Sequence, residues 1–89
     1  MLLKSYSNKE LQTLIGERAK TYRKNLSLSQ EELAANSGIS LSTVQKFETG
    51  KANISLNNLL TILRHLGLIE NIDQLIPEQP ENPYRNFRY

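Results

Sequence analysis

The sequence predicts an all-α fold, five short helices followed by an extended C-terminal tail. Three observations carry this. Serines stand where helices should start, at Ser7, Ser29, Ser40 and Ser55, each ahead of apolar residues at helical spacing. Gly38, Gly50 and Gly67 stand where helices should stop. Only the last six residues alternate in the manner of a strand.

Each element follows from local chemistry. Ser7 and Glu10 form a capping-box pattern, and Leu11, Leu14, Ile15, Arg18, Ala19 and Tyr22 continue it as a first helix running to about Arg23 or Lys24. Ser29 and Glu32 repeat the pattern and open a second helix carrying Leu33 and Ala34, stopped by Gly38. Ser40 caps a third helix, Leu41 to about Thr49. After the loop Lys51–Ile54, Ser55 caps a fourth over Leu56–Leu66, with Leu56, Leu59, Leu60, Ile62, Leu63 and Leu66 as its apolar set. Leu68, Ile69, Ile72, Leu75 and Ile76 predict a short fifth helix ended by Pro77. The expected organisation is an N-terminal arm over 1–8, one domain over 9–76 and a tail over 77–89. Pro77, Pro80 and Pro83 keep that tail extended and weakly ordered.

Composition narrows the function. With 89 residues the chain makes one small domain, whose stability should be about 3–5 kcal/mol. It has no cysteine and a single histidine, His65, so neither a disulfide nor a conventional metal site is expected, and no cofactor is implied. No apolar run approaches the length of a membrane span, and Met1–Lys4 lacks the apolar run of a signal peptide, so a cytoplasmic protein is expected. Residues 1–66 carry nine basic and five acidic side chains, a net of +4, whereas residues 67–89 carry two and four, a net of −2. A basic body permits nucleic-acid binding without demonstrating it. His65 with Asp73 and a serine makes a triad only on paper, because no nucleophile elbow accompanies them; the chain is not expected to be an enzyme. Glu31 and Glu32 lie in a first helical turn, where the helix dipole favours acids, so they are not read as a catalytic pair.

The informative stretch is Gln30–Glu48. A helix-turn-helix needs an inward apolar residue, a small residue where the helices meet, a residue for the tight turn and a plug just after it. Leu33, Ala34, Gly38 and Ile39 meet these demands, and Val44 and Phe47 then face inward from the second helix of the pair. Any helical hairpin asks for something similar, so the spacing alone does not decide for DNA.

The surrounding residues are more specific. Arg23-Lys24, the run Leu28–Ala34, Ser37–Ser40, Ser42–Val44, Phe47-Glu48 with Gly50-Lys51, and Ser55-Leu56 with Leu59-Leu60 resemble the Xre/Cro-type helix-turn-helix regulators. This family includes the five-helix DNA-binding domain of lambdoid phage repressors. The resemblance spans Ile15–Leu66, about 52 of the 89 residues. It implies a repressor-like domain whose recognition helix, Leu41–Thr49, lies in the major groove of double-stranded DNA. Ser40, Leu41, Ser42, Gln45 and Lys46 then match positions that reach base edges or nearby phosphates, while Val44, Phe47 and Glu48 fall on the inner face. Gln45 suits adenine, and Lys46 suits guanine or a phosphate. Leu41 departs from the family's usual polar residue; it either meets a thymine methyl or reads nothing. Gln30, Thr43, Lys51 and Asn53 are phosphate candidates.

The resemblance also implies an ion pair between Arg23 and Glu48, against the plainer reading of two solvated charges. Ser27 stands where a glycine is common, leaving Asn25 or Leu26 to manage the turn. The loop Gly50–Ser55 is short and lacks arginine, so insertion into the minor groove is not expected. Leu11, Leu14, Ile15, Leu33, Ile39, Val44, Leu59, Leu60, Ile62 and Leu63 are expected in the core.

One half-site offers few base contacts, so a homodimer on a palindromic operator is expected. Leu68, Ile69, Ile72, Leu75 and Ile76 either form its interface or merely cap the core. The fourth helix, Leu66–Leu68 and the proline-containing tail also resemble HipB-type antitoxins. That likeness implies a HipA-type kinase toxin as partner and repression of the protein's own operon. A phage-type repressor or restriction-control regulator is the alternative. Tyr84, Phe87 and Tyr89 are either a partner-docking segment, which would make the chain a scaffold, or a disordered end.

Overall fold

The computed structural model describes residues 2–80. Within them the chain forms α1 (Asn8–Asn25), α2 (Gln30–Ser37), α3 (Leu41–Glu48), α4 (Leu56–His65) and α5 (Ile72–Leu75). Two 3₁₀ turns, Leu3–Ser5 and Ile69–Asn71, precede α1 and α5. No strand is present among the described residues. The aromatic residues Tyr84, Phe87 and Tyr89 lie outside them.

Every helix from α1 to α4 starts in the same way. The hydroxyls of Ser7, Ser29, Ser40 and Ser55 accept from the backbone N–H groups of Glu10, Glu32, Thr43 and Asn58 at 3.0–3.1 Å. In the first two, the glutamate carboxylate returns to the serine N–H at 2.9 and 3.0 Å, completing the capping box. Those bonds, the backbone one foremost, hold the carboxyls of Glu10 and Glu32 below the usual glutamate value.

The helix ends are equally uniform. A residue in the left-handed region follows α1 to α4, and the next N–H reaches back five residues. The bonds are Leu28 to Arg23, Ile39 to Ala34, Lys51 to Lys46 and Leu68 to Leu63, at 2.8–3.2 Å. Glycine supplies the left-handed residue three times; after α1 it is Ser27, with φ of +58°. The turn expected of Asn25 or Leu26 is thus made by Ser27 itself. Because the left-handed residue comes only at 27, α1 runs to Asn25, one or two residues beyond the expected end.

The core comprises Ala19, Leu33, Ala34, Val44, Phe47, Ile62 and Leu66, with Ile39, Leu41, Ile54, Leu59 and Leu68 packed against it. Leu33, Val44 and Ile62 are wholly buried, and α2 packs against both α3 and α4. Ile15 corrects the sequence expectation: it is 46% exposed. Helix α1 instead buries Gly16, Ala19 and Arg23. Small residues let its backbone approach α3, and a Cβ at Gly16 would overlap the Phe47 carbonyl oxygen and lie 2.9 Å from the Glu48 carbonyl carbon. Bulky Ile15 and Tyr22 are therefore left at the flank. Leu56, in the first turn of α4, is also outside the core at 70% exposure. The residues after Gly67 form only a 3₁₀ turn and a single helical turn, shorter than a full fifth helix.

Two substitutions at the ends of this packing have opposite signs. Gly16→Ala forces the α1–α3 backbones apart and should cost about 2 kcal/mol, lowering Tm by about 10 °C. Ser27→Gly removes left-handed strain and returns part of the gain as unfolded-state entropy, for a net rise of about 0.5–1 kcal/mol. Thermal denaturation followed by circular dichroism checks both. Because folding lowers the Glu10 and Glu32 pKa values, the stability they contribute is complete above the unfolded value and is lost as pH falls through the folded one. Urea midpoints measured between about pH 6 and about pH 3 should thus fall toward acid, and E10Q/E32Q should make that fall shallower.

Candidate nucleic-acid interface

Helix α3 divides cleanly by side. Val44, Phe47 and Glu48 are buried and Leu41 is half-buried against the core. Ser42, Gln45, Lys46 and Thr49 are exposed on the opposite side, at i, i+3, i+4 and i+7. The side chains of Ser42, Gln45 and Lys46 are free of hydrogen bonds and ion pairs among the described residues. Eight residues make a rod about 12 Å long, the width of a B-DNA major groove.

The tight α2–α3 turn presents this rod. Gly38 closes α2 with φ of +66°, where a Cβ would be strained, and Ser40 begins the α3 cap two residues later. Ile39 packs on the core between them. The Ser40 hydroxyl lies 2.7 Å from that of Thr43, so the two groups share a local bond as well as the cap. Thr49 is tied down too, its hydroxyl donating to the carbonyls of Gln45 and Lys46.

Beneath α3 lies a buried polar node. Arg23 Nε donates to Glu48 Oε2 at 2.7 Å and Nη2 donates to Oε1 at 3.0 Å. Nη1 donates to the Leu28 carbonyl at 2.7 Å. The two side chains are only 7% and 1% exposed. The structure therefore brings Arg23 and Glu48 together as a bidentate pair, not as solvated charges. Glu48 Oε1 also accepts from Gln30 Nε2 at 2.9 Å. Sequence reasoning placed Gln30 at a phosphate and missed this bond. Gln30 begins α2 and Glu48 ends α3, eighteen positions apart, and no local pattern joins two such ends.

Around α3, Lys51 is exposed with a free ammonium, and its N–H closes the α3 end. Asn53 is exposed, its carbonyl oxygen accepting from Gln12 of α1 at 3.2 Å. At the start of α2, the capping box uses the N–H groups of Ser29 and Glu32 and leaves those of Gln30 and Glu31 without an intrahelical partner. The chain thus offers a short polar helix face on α3, an exposed cation and an amide at Lys51 and Asn53 in the loop after it, and unpaired N–H groups at the start of α2. That is the arrangement for entering a groove and gripping phosphates on its edges.

A family model described as helix-turn-helix matches residues 20–70, more than half of the chain. The chain belongs to the helix-turn-helix family. It is a DNA-binding transcriptional regulator of the Xre/Cro type. No curated protein matches the sequence. The family match contains α2, the turn, α3 and α4, together with the last turns of α1 that carry Arg23. Within the regulator, the exposed α3 face sits inside the matched segment, and the buried node joins its three first helices. Among the described residues no helix is long and apolar enough to cross a membrane, and no group of three metal-ligating side chains occurs.

Removing one partner of the node leaves a buried charge. Glu48→Ala should cost about 3–5 kcal/mol, comparable to the whole stability of so small a domain. Circular dichroism should show the variant largely unfolded near room temperature, and anisotropy should show DNA affinity lost with it. An unchanged melting curve would remove the structural role of the pair.

Proposed function

We propose that the regulator is an autorepressor that binds a palindromic operator as a homodimer. The observation that carries this is the size of the free face of α3. Ser42, Gln45 and Lys46 are its only wholly free polar side chains, too few to select one site in a genome. A second copy doubles the contacts and adds the half-site spacing to the code. Gln45 pairs with adenine and Lys46 with guanine or a phosphate in this reading, while Ser40, Thr43, Gln30, Lys51 and Asn53 serve the backbone. Leu41, half-buried, contributes at most its edge to a thymine methyl.

Support for the dimer comes from the C-terminal segment. Leu68 packs on the core and Ile69 and Ile72 are half-buried, whereas Leu75 and Ile76 are 69% and 75% exposed. Adjacent apolar side chains of that size are costly to leave in water, and a second copy covers them. The second reading gives the same two residues to a toxin of the HipA-type kinase class. It is favoured by their position just ahead of Pro77–Pro80, a segment without regular secondary structure that a larger partner can follow. Sedimentation velocity of the native chain and of L75A/I76A separates the two: a native dimer that L75A/I76A makes monomeric supports the first, and a dimer that L75A/I76A leaves intact supports the second.

Binding to DNA from immediately upstream of the gene should exceed binding to a scrambled duplex by at least about tenfold in fluorescence anisotropy, each falling steeply with salt. Equal, weak binding to the two duplexes would overturn the autorepressor reading.

A further inference from the structure

Gln30 is the one phosphate candidate that the buried node touches, and the contact has a defined polarity. A carboxylate only accepts, so the bond between Gln30 and Glu48 fixes the amide with its NH₂ toward the interior. Glu48 is itself fixed by two bonds from Arg23, and Arg23 by a third to the Leu28 carbonyl. Gln30 is half-buried, and its second amide N–H has no partner among the described residues. Gln30 is also the first residue of α2, where its own backbone N–H and that of Glu31 have no intrahelical partner.

We propose that Glu48 is a positioning residue for DNA: by holding the Gln30 amide it sets a phosphate donor at the start of α2 in register with the base-reading face of α3. An unheld glutamine must be ordered in the complex, losing rotamer freedom, whereas here folding has already ordered it. Glu48 is also the last residue of α3, so one carboxylate links the element that grips the backbone to the element that reads bases. The inference rests on the DNA-binding reading above and deepens it.

The test is a double-mutant cycle on a mixed-sequence duplex of about 30 base pairs at low salt, where backbone contacts dominate affinity. Native protein, Q30A, E48D and Q30A/E48D are compared by anisotropy, with K46A and K46A/E48D as the reference pair. Aspartate keeps the charge beside Arg23 while drawing the carboxylate back from Gln30 by one methylene, whereas a glutamine would still offer Gln30 an amide oxygen. Melting curves set an assay temperature at which each variant is folded. Q30A should weaken binding about fivefold to tenfold, as expected for a hydrogen bond to a charged group. Q30A should add nothing once position 48 is changed, whereas the effects of K46A and the change at 48 should multiply. A merely structural Glu48 would leave both pairs multiplicative, and that result overturns the proposal. So does a Q30A that binds as the native protein does. Failure of the native protein to bind any duplex would instead overturn the DNA-binding reading, and the positioning role with it.

Discussion

The bidentate contact between Arg23 and Glu48 is the constraint on which the arrangement of this domain depends. It joins the end of α1 to the end of α3, and through the Leu28 carbonyl and the Gln30 amide it reaches the connection before α2 and the first residue of α2. The apolar core alone does not do this. Leu33, Val44 and Ile62, with the residues packed around them, hold α2 against α3 and α4, but apolar burial is non-directional and does not by itself select one rotation. A charged fork with four directed bonds admits one geometry. For a protein that must present three side chains on a rod about 12 Å long, fixed rotation is the property that matters.

The close approach of α1 has the same origin. Arg23 reaches Glu48 only because Gly16 and Ala19 let the α1 backbone lie against the end of α3. A Cβ at Gly16 already overlaps the backbone at the end of α3, so a larger side chain there pushes α1 away from Glu48. Small residues and the ion pair are thus two halves of one device, and the exposure of Ile15 and Tyr22 is its by-product. Burying the two charges is expensive, and the four hydrogen bonds of the Glu48 carboxylate and the Arg23 fork offset that cost only while all remain in place.

The helices were legible in the sequence because their ends are governed by local chemistry. Ser7, Ser29, Ser40 and Ser55 cap within three residues of themselves, and Gly38, Gly50 and Gly67 stop the helices they follow. Such signals need no knowledge of the rest of the fold. The inward positions of α2 and α3 were legible as well, since Leu33, Ala34, Val44 and Phe47 obey one period and one small-residue rule. Helix α1 was not, because apolar periodicity points to Leu11, Ile15 and Tyr22, whereas the contact selects for smallness. Ser27 was illegible for a different reason: nothing in its own chemistry announces a left-handed residue, and only the bond from Leu28 to Arg23 around it does. Among the candidate site residues, the outward set on α3 came from the same period that fixed the inward set. The bond between Gln30 and Glu48 spans eighteen positions and two helix ends, so no local pattern could carry it.

These two kinds of information meet at the interface. The side chains proposed to read bases are unencumbered: Ser42, Gln45 and Lys46 make no bonds among the described residues. The side chains around them are encumbered, Ser40 and Thr43 with each other, Asn53 with Gln12, and Gln30 with Glu48. Free side chains adapt to a base edge at the cost of rotamer entropy, while tethered ones meet a phosphate with little left to lose. A phosphate backbone repeats regardless of sequence, so its contacts gain from being rigid. Base edges differ from site to site, and long side chains that are loose in the free protein can form the correct bidentate pair or fail to. The division between held and free groups on this surface therefore follows the division between affinity and specificity.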